Sequence, residues 1–317
     1  MGNSCRRAGR RYAPETSGSE GDEDAYKEGR GGSGGYAMPP MHAGEGVSGL
    51  CSGGPGIVIT GGQDGSAAMW RWGARGAKSN ADDDDGQEGA AAGSAGELIH
   101  RWDAHPKAVT RVAYLPAAGR VLTACRDGLV RAWSPADTHA PVTHFKGHTL
   151  TVLGLDALEE LGQACTGARD YTVRLWDLET ADCIQTSKVA RNVVTFVRRV
   201  PGERAVAQTG EDLRVRVWDV RDFSAAAQTL EGHVNIPHCC DVSPDGNYLV
   251  SCSNGFDDGT GCEVKVWDRR VGKVLFEMRS HEMSTNCCVI LPALGALGDT
   301  PGANGQAKRG TSGEAGA

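Results

Sequence analysis

The chain has 317 residues, 45 of them glycine, with a formal net charge of −7 and an isoelectric point near 5.7. That length allows one large β domain or two small ones, and the acidic balance excludes an overall electrostatic footprint for nucleic acid. The longest weakly polar run, Cys287 to Gly298, falls short of the ~18 apolar residues a membrane span needs, and the charged start lacks the apolar core of a secretory signal.

Residues 1–40 read as a disordered tail. Arg6, Arg7, Arg10 and Arg11 form a basic cluster; Glu20, Asp22, Glu23 and Asp24 follow, and then glycine-rich sequence. Gly29 to Gly34 matches a dinucleotide fingerprint and Gly31 to Gly35 a nucleophile elbow. Neither follows a strand or opens a helix, so low complexity explains both. Met1-Gly2-Asn3-Ser4-Cys5 resembles a lipidated terminus, with Gly2 a candidate for myristate and Cys5 for palmitate. Peripheral membrane attachment would follow, although Arg6 stands where the motif takes Ser or Thr.

Residues 41–298 carry a repeat. Trp133, Trp176 and Trp218 lie 43 and 42 residues apart, with Trp70 before them and Trp267 after. Each closes a short alternating segment that predicts a strand: Gly65 to Trp70, Gly128 to Trp133, Tyr171 to Trp176, Leu213 to Trp218 and Glu263 to Trp267. His42, His105 and His148 each precede an aspartate by 22 residues (Asp64, Asp127 and Asp170), and each aspartate precedes its tryptophan by six. Four residues before each aspartate lies Thr60, Thr123 or Thr166. Asp212 and Trp218 repeat the six-residue step, and His233, Ser251 and Trp267 form a fifth set. A period of roughly 40–45 residues is that of a β-propeller.

These residues resemble the WD-repeat β-propeller family. The resemblance implies a hydrogen-bonded network of His, Asp, Ser/Thr and Trp across each blade. That is a structural role: half-buried imidazole and indole groups need partners, and a repeated network locks blades. Two segments narrow the likeness. Ser187 to Trp218, with Arg191-Asn192-Val193-Val194-Thr195, and Ser251 to Phe256 followed by Gly261-Cys262-Glu263 and Trp267-Asp268, are similar to the family of WD repeat-containing protein 31. That family's association with cilia and ciliary membrane cargo is implied by resemblance alone.

Two repeats depart from the pattern. The fourth has Ala190-Arg191-Asn192 where Gly-His belongs and Gln208 in place of threonine; the fifth has six extra residues between histidine and tryptophan. Its hairpin carries Asp257 and Asp258, candidate partner contacts on a conspicuous loop. Residues 73–97 read as a disordered acidic insertion, and Asp82 to Asp85 as solvated charge without the pattern of a calcium loop. His281 opens a sixth unit, with its first strand expected over Asn286 to Leu297, and 299–317 read as a disordered tail. Residues 42–297 thus hold about five and a half blades. A ring stopped in mid-blade exposes strand edges, so the reading expects a chain shortened from seven blades; a five- or six-bladed ring is the alternative.

The 11 cysteines include no Cys-x-x-Cys pair and the chain has no Asn-x-Ser/Thr sequon, which fits a reducing cytoplasmic setting. Cys239-Cys240 and Cys287-Cys288 occupy equivalent positions six and seven residues after His233 and His281. Strand neighbours face opposite sides, so they read as small apolar fillers rather than chelating pairs. No metal, cofactor or catalytic constellation is expected. The expected function is a non-enzymatic scaffold for other proteins, in cilium assembly or ciliary membrane trafficking and so placed in the cytoplasm, the cilium or its base. The alternative is a substrate receptor of a cullin-RING ubiquitin ligase, for which Arg221 and Arg270 complete two Trp-Asp-x-Arg elements.

Overall fold

The computed structural model describes residues 42, 46–72, 96–189, 191–255, 261–279 and 285–291. They form five four-stranded antiparallel sheets, each paired in chain order. The first holds β1 (Val47–Ser52), β2 (Ile57–Gly62), β3 (Ser66–Arg71) and β4 (Glu97–Asp103). The second holds β5 (Val109–Leu115), β6 (Arg120–Cys125), β7 (Val130–Trp133) and β8 (Thr143–Phe145). The third holds β9 (Val152–Leu158), β10 (Gln163–Ala168), β11 (Thr172–Asp177) and β12 (Cys183–Lys188). The fourth holds β13 (Val194–Arg199), β14 (Ala205–Gly210), β15 (Arg214–Asp219) and β16 (Gln228–Glu231), and the fifth β17 (Pro237–Val242), β18 (Tyr248–Ser253), β19 (Val264–Asp268) and β20 (Lys273–Met278). A single 3-10 turn at Glu159–Leu161 is the one described helical element.

The Trp-closing segments are third strands, and each begins later than its alternation suggests. The cause is backbone geometry. Gly65, Gly128, Tyr171 and Leu213 occupy one turn position and share a left-handed φ of 83°, 86°, 68° and 67°. Glycine adopts that conformation freely, whereas Tyr171 and Leu213 adopt it at a cost in strain.

Consecutive sheets pack through their first strands, and a core lies at each interface. Between the first and second sheets, Ile59, Ala67 and Trp102 meet Val109, Val121 and Trp133. Between the second and third, Phe145 and Leu122 meet Val152, Leu155 and Trp176. Trp218 and Trp267 serve the next two interfaces. Gly167 shows how close the approach is: a Cβ there would strike Val194 Cγ1 of the neighbouring sheet.

A β-bulge recurs in the first strand pair of every sheet, next to Ser48, Thr110, Leu153, Thr195 or His238. Where a hydroxyl stands there, it staples the next sheet. Thr110 Oγ1 donates to the Val152 carbonyl at 2.6 Å, Thr195 Oγ1 to the Pro237 carbonyl at 2.6 Å, and Ser48 Oγ to the Val109 carbonyl. A bulge re-aims a side chain out of the sheet's own ladder, which is what this contact requires.

Two sequence expectations change here. The insertion expected over 73–97 ends earlier, because Glu97 already opens β4 opposite Arg71, its ion-pair partner at 3.0 Å. The strand expected from Asn286 does not form over 285–291. That segment runs beside β17, tied by the Ile290 amide to Asp241 Oδ2 at 2.8 Å rather than by a backbone ladder. Most of the expected insertion, the two tails, Gly2, Cys5, Asp257, Asp258, His281 and 292–297 lie outside the described residues.

Candidate functional site

In the first three sheets the histidine before the first strand reaches across to the second. His42, His105 and His148 place Nε2 3.0, 2.8 and 2.7 Å from the hydroxyls of Thr60, Thr123 and Thr166. The indole N–H groups of Trp70, Trp133 and Trp176 donate to the same three oxygens at 3.2, 2.8 and 2.7 Å. On the other side of the ring, Nδ1 lies 3.4, 3.3 and 2.9 Å from Asp64, Asp127 and Asp170. A carboxylate only accepts and an indole only donates, which sets the proton arrangement of the third sheet. There His148 Nδ1–H faces Asp170, Nε2 accepts the Thr166 hydroxyl proton, and the threonine oxygen accepts from Trp176, whereas in the second sheet Arg131 donates to His105 Nδ1 and in the first Ser66 Oγ stands 2.7 Å from His42 Nδ1.

The titration of these groups agrees with that arrangement. Burial pushes His105 down to about 4, and the Arg131 guanidinium against its ring adds to the effect, outweighing the pull of Asp127. Burial likewise lowers His42 and His148. Burial works against ionisation of Asp170, but hydrogen bonds from His148 and Thr172 outweigh it and hold the carboxyl well below its usual range. Neutral imidazole and ionised aspartate are therefore the folded-state forms.

The carboxylate has a basic neighbour. Arg131 pairs with Asp127 at 3.4 Å, and Arg216 pairs with Asp212 four residues earlier. In the first sheet Ala68 holds that register, and Arg101 reaches Asp64 from β4 instead, at 2.8 Å.

The fourth sheet replaces both members that its sequence lacks. Trp218 donates to Gln208 Oε1 at 3.0 Å, so an amide oxygen takes the hydroxyl's place. Asn192, fully buried, takes the histidine's seat: a Cβ at Gly210 would strike its side chain, just as one at Gly62 would strike His42. Its Oδ1 accepts the Asp212 amide at 3.4 Å. The fifth sheet keeps His233 Nε2 to Ser251 at 2.6 Å and Trp267 to Ser251 at 2.8 Å. Glu263 takes the carboxylate role 3.9 Å from His233 Nδ1, with Lys265 Nζ 3.0 Å from the same oxygen. Burial, then the Lys265 charge, pushes His233 down to about 4. Sequence reasoning missed Asn192, Glu263 and Arg101; the signals were an amide two residues past the vacant histidine position, a buried acid beside Lys265, and an alanine in the basic register.

Among the described residues one group has the ligand types of a metal site: donor atoms of His105, Cys125 and Asp127 lie within 4.8 Å of one another. Those donors are already engaged. The Cys125 thiol donates to the Lys107 carbonyl at 3.2 Å and accepts from the Asp127 amide, and burial raises it to about 12. Arg131 stands where a cation would have to approach Nδ1. The arrangement serves the blade.

Arg221 and Arg270 occupy equivalent turns after β15 and β19. Arg221 Nε lies 2.9 Å from Asp219, and Arg270 Nε lies 3.0 Å from Asp268 with its guanidinium over the Tyr248 ring. Both side chains stay solvent-facing, at 70% and 56% exposure.

The family model for the WD domain, G-beta repeat, matches residues 96–134, 139–177 and 225–268. Each match begins on or just before the outer strand of one sheet and ends on the third strand of the next, so the sequence repeat straddles two sheets. The segment 178–224, with the substituted network of the fourth sheet, lies outside the matches. Nuclear distribution protein PAC1 of Arthroderma otae is 28% identical over 213 residues, covering 59% of this chain and 46% of its own length. Ribosome biogenesis protein YTM1 of Meyerozyma guilliermondii is 23% identical over 185 residues, covering 57% and 40%. WD repeat-containing protein 37 of Pongo abelii is 32% identical over 143 residues, covering 45% and 27%. The chain thus spans less than half the length of these relatives. Residues 96–134, 139–177 and 225–268 are thus matched WD40 repeats, and the five antiparallel four-stranded sheets, each with a hydrogen-bonded tryptophan, are built as the blades of a WD-repeat β-propeller.

Proposed function

We propose that the chain is a non-enzymatic scaffold whose blades hold surface loops in place for contact with other proteins. The observation that carries this reading is the consumption of its acid–base residues. The blade histidines, threonines and aspartates, which in another setting would suit general acid–base chemistry, are spent on one another inside blades. Rigid elements with exposed connecting loops are the usual platform for recognition.

The finer reading, a role in cilium assembly or ciliary membrane trafficking, rests on the likeness of residues 187–218 and 251–268. Two of the relatives named above carry nuclear distribution and ribosome biogenesis in their names instead. Membrane attachment through Gly2 or Cys5 belongs to the same reading, and intact-mass measurement of the cellular protein reads an acyl chain directly. Proximity labelling in ciliated cells separates the alternatives. Enrichment of ciliary-base proteins supports the ciliary role, whereas enrichment of ribosome-assembly or nuclear-distribution factors sinks it. Failure of the chain to form any stoichiometric complex, with turnover of a small molecule in its place, would sink the scaffold itself.

A second reading, as a substrate receptor of a cullin-RING ubiquitin ligase, draws on the paired display of Arg221 and Arg270 in equivalent exposed turns. Replacing both with alanine should abolish co-purification of the ligase adaptor; unchanged co-purification rules this reading out.

A further inference from the structure

The cysteines spaced along the sequence meet in space. Cys239 on β17 is buried, with its Sγ 3.7 Å from Cys287 Sγ, which is exposed. Cys239 Sγ also lies 3.7 Å from the Cys288 carbonyl, and Cys288 Sγ 3.7 Å from the Cys239 carbonyl. These reciprocal contacts lay Cys287-Cys288 alongside β17 at Cys239. Cys252 and Cys288 belong to the same apolar cluster. The Ile290–Asp241 hydrogen bond holds the segment in this register.

The cluster also has a cation. Arg111 reaches over from the second sheet, with its guanidinium 4.9 Å from the centre of the Phe196 ring and Nη1 on the Thr110 carbonyl at 3.0 Å. Its Nε is buried without a hydrogen-bond partner, and among the described residues no carboxylate pairs with it. The groups near it that can become negative are Cys239 and Cys287.

We propose that Cys239 and Cys287 form a hydroperoxide-oxidised dithiol, whose disulfide fastens residues 285–291 to β17. In the first step Cys287 loses its proton to water, and the exposed Cys287 thiolate attacks the terminal oxygen of the hydroperoxide. The O–O bond breaks, Cys287 becomes a sulfenic acid, and the departing alkoxide takes a proton from water. In the second step Cys239 sulfur attacks the sulfenic sulfur; the S–S bond forms and the hydroxyl leaves with the Cys239 proton as water. Two thiols are oxidised and one hydroperoxide is reduced to alcohol and water. Intracellular disulfides of this kind are transient and redox-sensing, and an accessible thiol beside a second thiol is their usual setting.

The test treats the folded full-length chain with one equivalent of hydrogen peroxide, blocks remaining thiols with N-ethylmaleimide, and maps the products by mass spectrometry. The expected result is a Cys239–Cys287 disulfide, reversed by dithiothreitol and formed about tenfold faster than any adduct on the exposed Cys183. C288S and C183S should keep it, and C287S should lose it. C239A should instead accumulate a Cys287 sulfenic acid trapped by dimedone, a result a misfolded chain would not confine to one site. A disulfide that persists in C287S, or a parent chain that leaves Cys287 as sulfenic or sulfinic acid without a cross-link, overturns the proposal.

Discussion

Arg101 Nη2 lies 2.8 Å from Asp64 Oδ2, and Arg101 stands directly opposite Ala68 in the β3–β4 register. Where other blades keep their base on the third strand, as with Arg131 and Arg216, this blade draws it from the outer strand. Arg101 is partly exposed, so Arg101→Ala should cost only about 1 kcal/mol. Moving the base back, with Arg101→Ala and Ala68→Arg together, should recover part of the loss. Urea midpoints of the two variants and the parent decide it; equal losses in both would mean that the guanidinium does not act through Asp64.

The threonine hydroxyl is the hinge of the network, since it satisfies imidazole and indole at once. Thr166→Val keeps the shape but leaves His148 Nε2 and Trp176 Nε1 without a partner. Each buried unpaired group costs about 1–3 kcal/mol, so a loss of roughly 2–5 kcal/mol is expected, while Thr166→Ser should fall within about 1 kcal/mol of the parent. Tryptophan fluorescence during urea unfolding reads both, and a valine variant as stable as the serine variant would contradict the arrangement.

Acid should weaken the fold through its buried histidines. His105 and His233 are depressed to about 4 from an ordinary 6.5. Between those values the unfolded chain binds protons that the folded chain refuses. The contribution is therefore complete above pH ~6.5 and is lost as pH falls toward ~4, about 2 kcal/mol for each histidine at pH ~5. Denaturation midpoints measured in steps from neutral pH downward should decline through this window. H105Q should decline less steeply, and a flat profile would remove the buried neutral histidines from the account.

The shared left-handed turn makes opposite predictions for glycine and non-glycine residues. Tyr171 sits there at φ 68° with its side chain exposed, so Tyr171→Gly should raise the melting temperature or leave it unchanged. Gly128→Ala, at φ 86° and 3.0 Å from the His148 carbonyl, should lower stability by about 1–2 kcal/mol. Calorimetry on the pair is sufficient; a destabilised Tyr171→Gly would show that the tyrosine side chain contributes more than its strained backbone costs.

The blade framework was legible because its members lie at fixed distances along one blade: His105, Thr123, Asp127 and Trp133 recur where local strand geometry requires them. What spacing hid was substitution by reach. Asn192 enters the histidine's space from two residues further on, Glu263 lies beyond an insertion, and Arg101 arrives from another strand. Contacts between blades were hidden for a different reason. The staples from Thr110 and Thr195 and the meeting of Cys239 with Cys287 depend on how sheets are turned against one another. A period along the chain carries no term for that rotation.

Because each family match runs from around one sheet's outer strand to the next sheet's third strand, the unit of inheritance and the unit of folding are out of phase. Gain or loss of one repeat therefore cannot add or remove a free-standing sheet; it trades strands between neighbours. A crack opened at any one linkage would strip the edge from the sheet before it, so mechanical load on a single loop is shared by two.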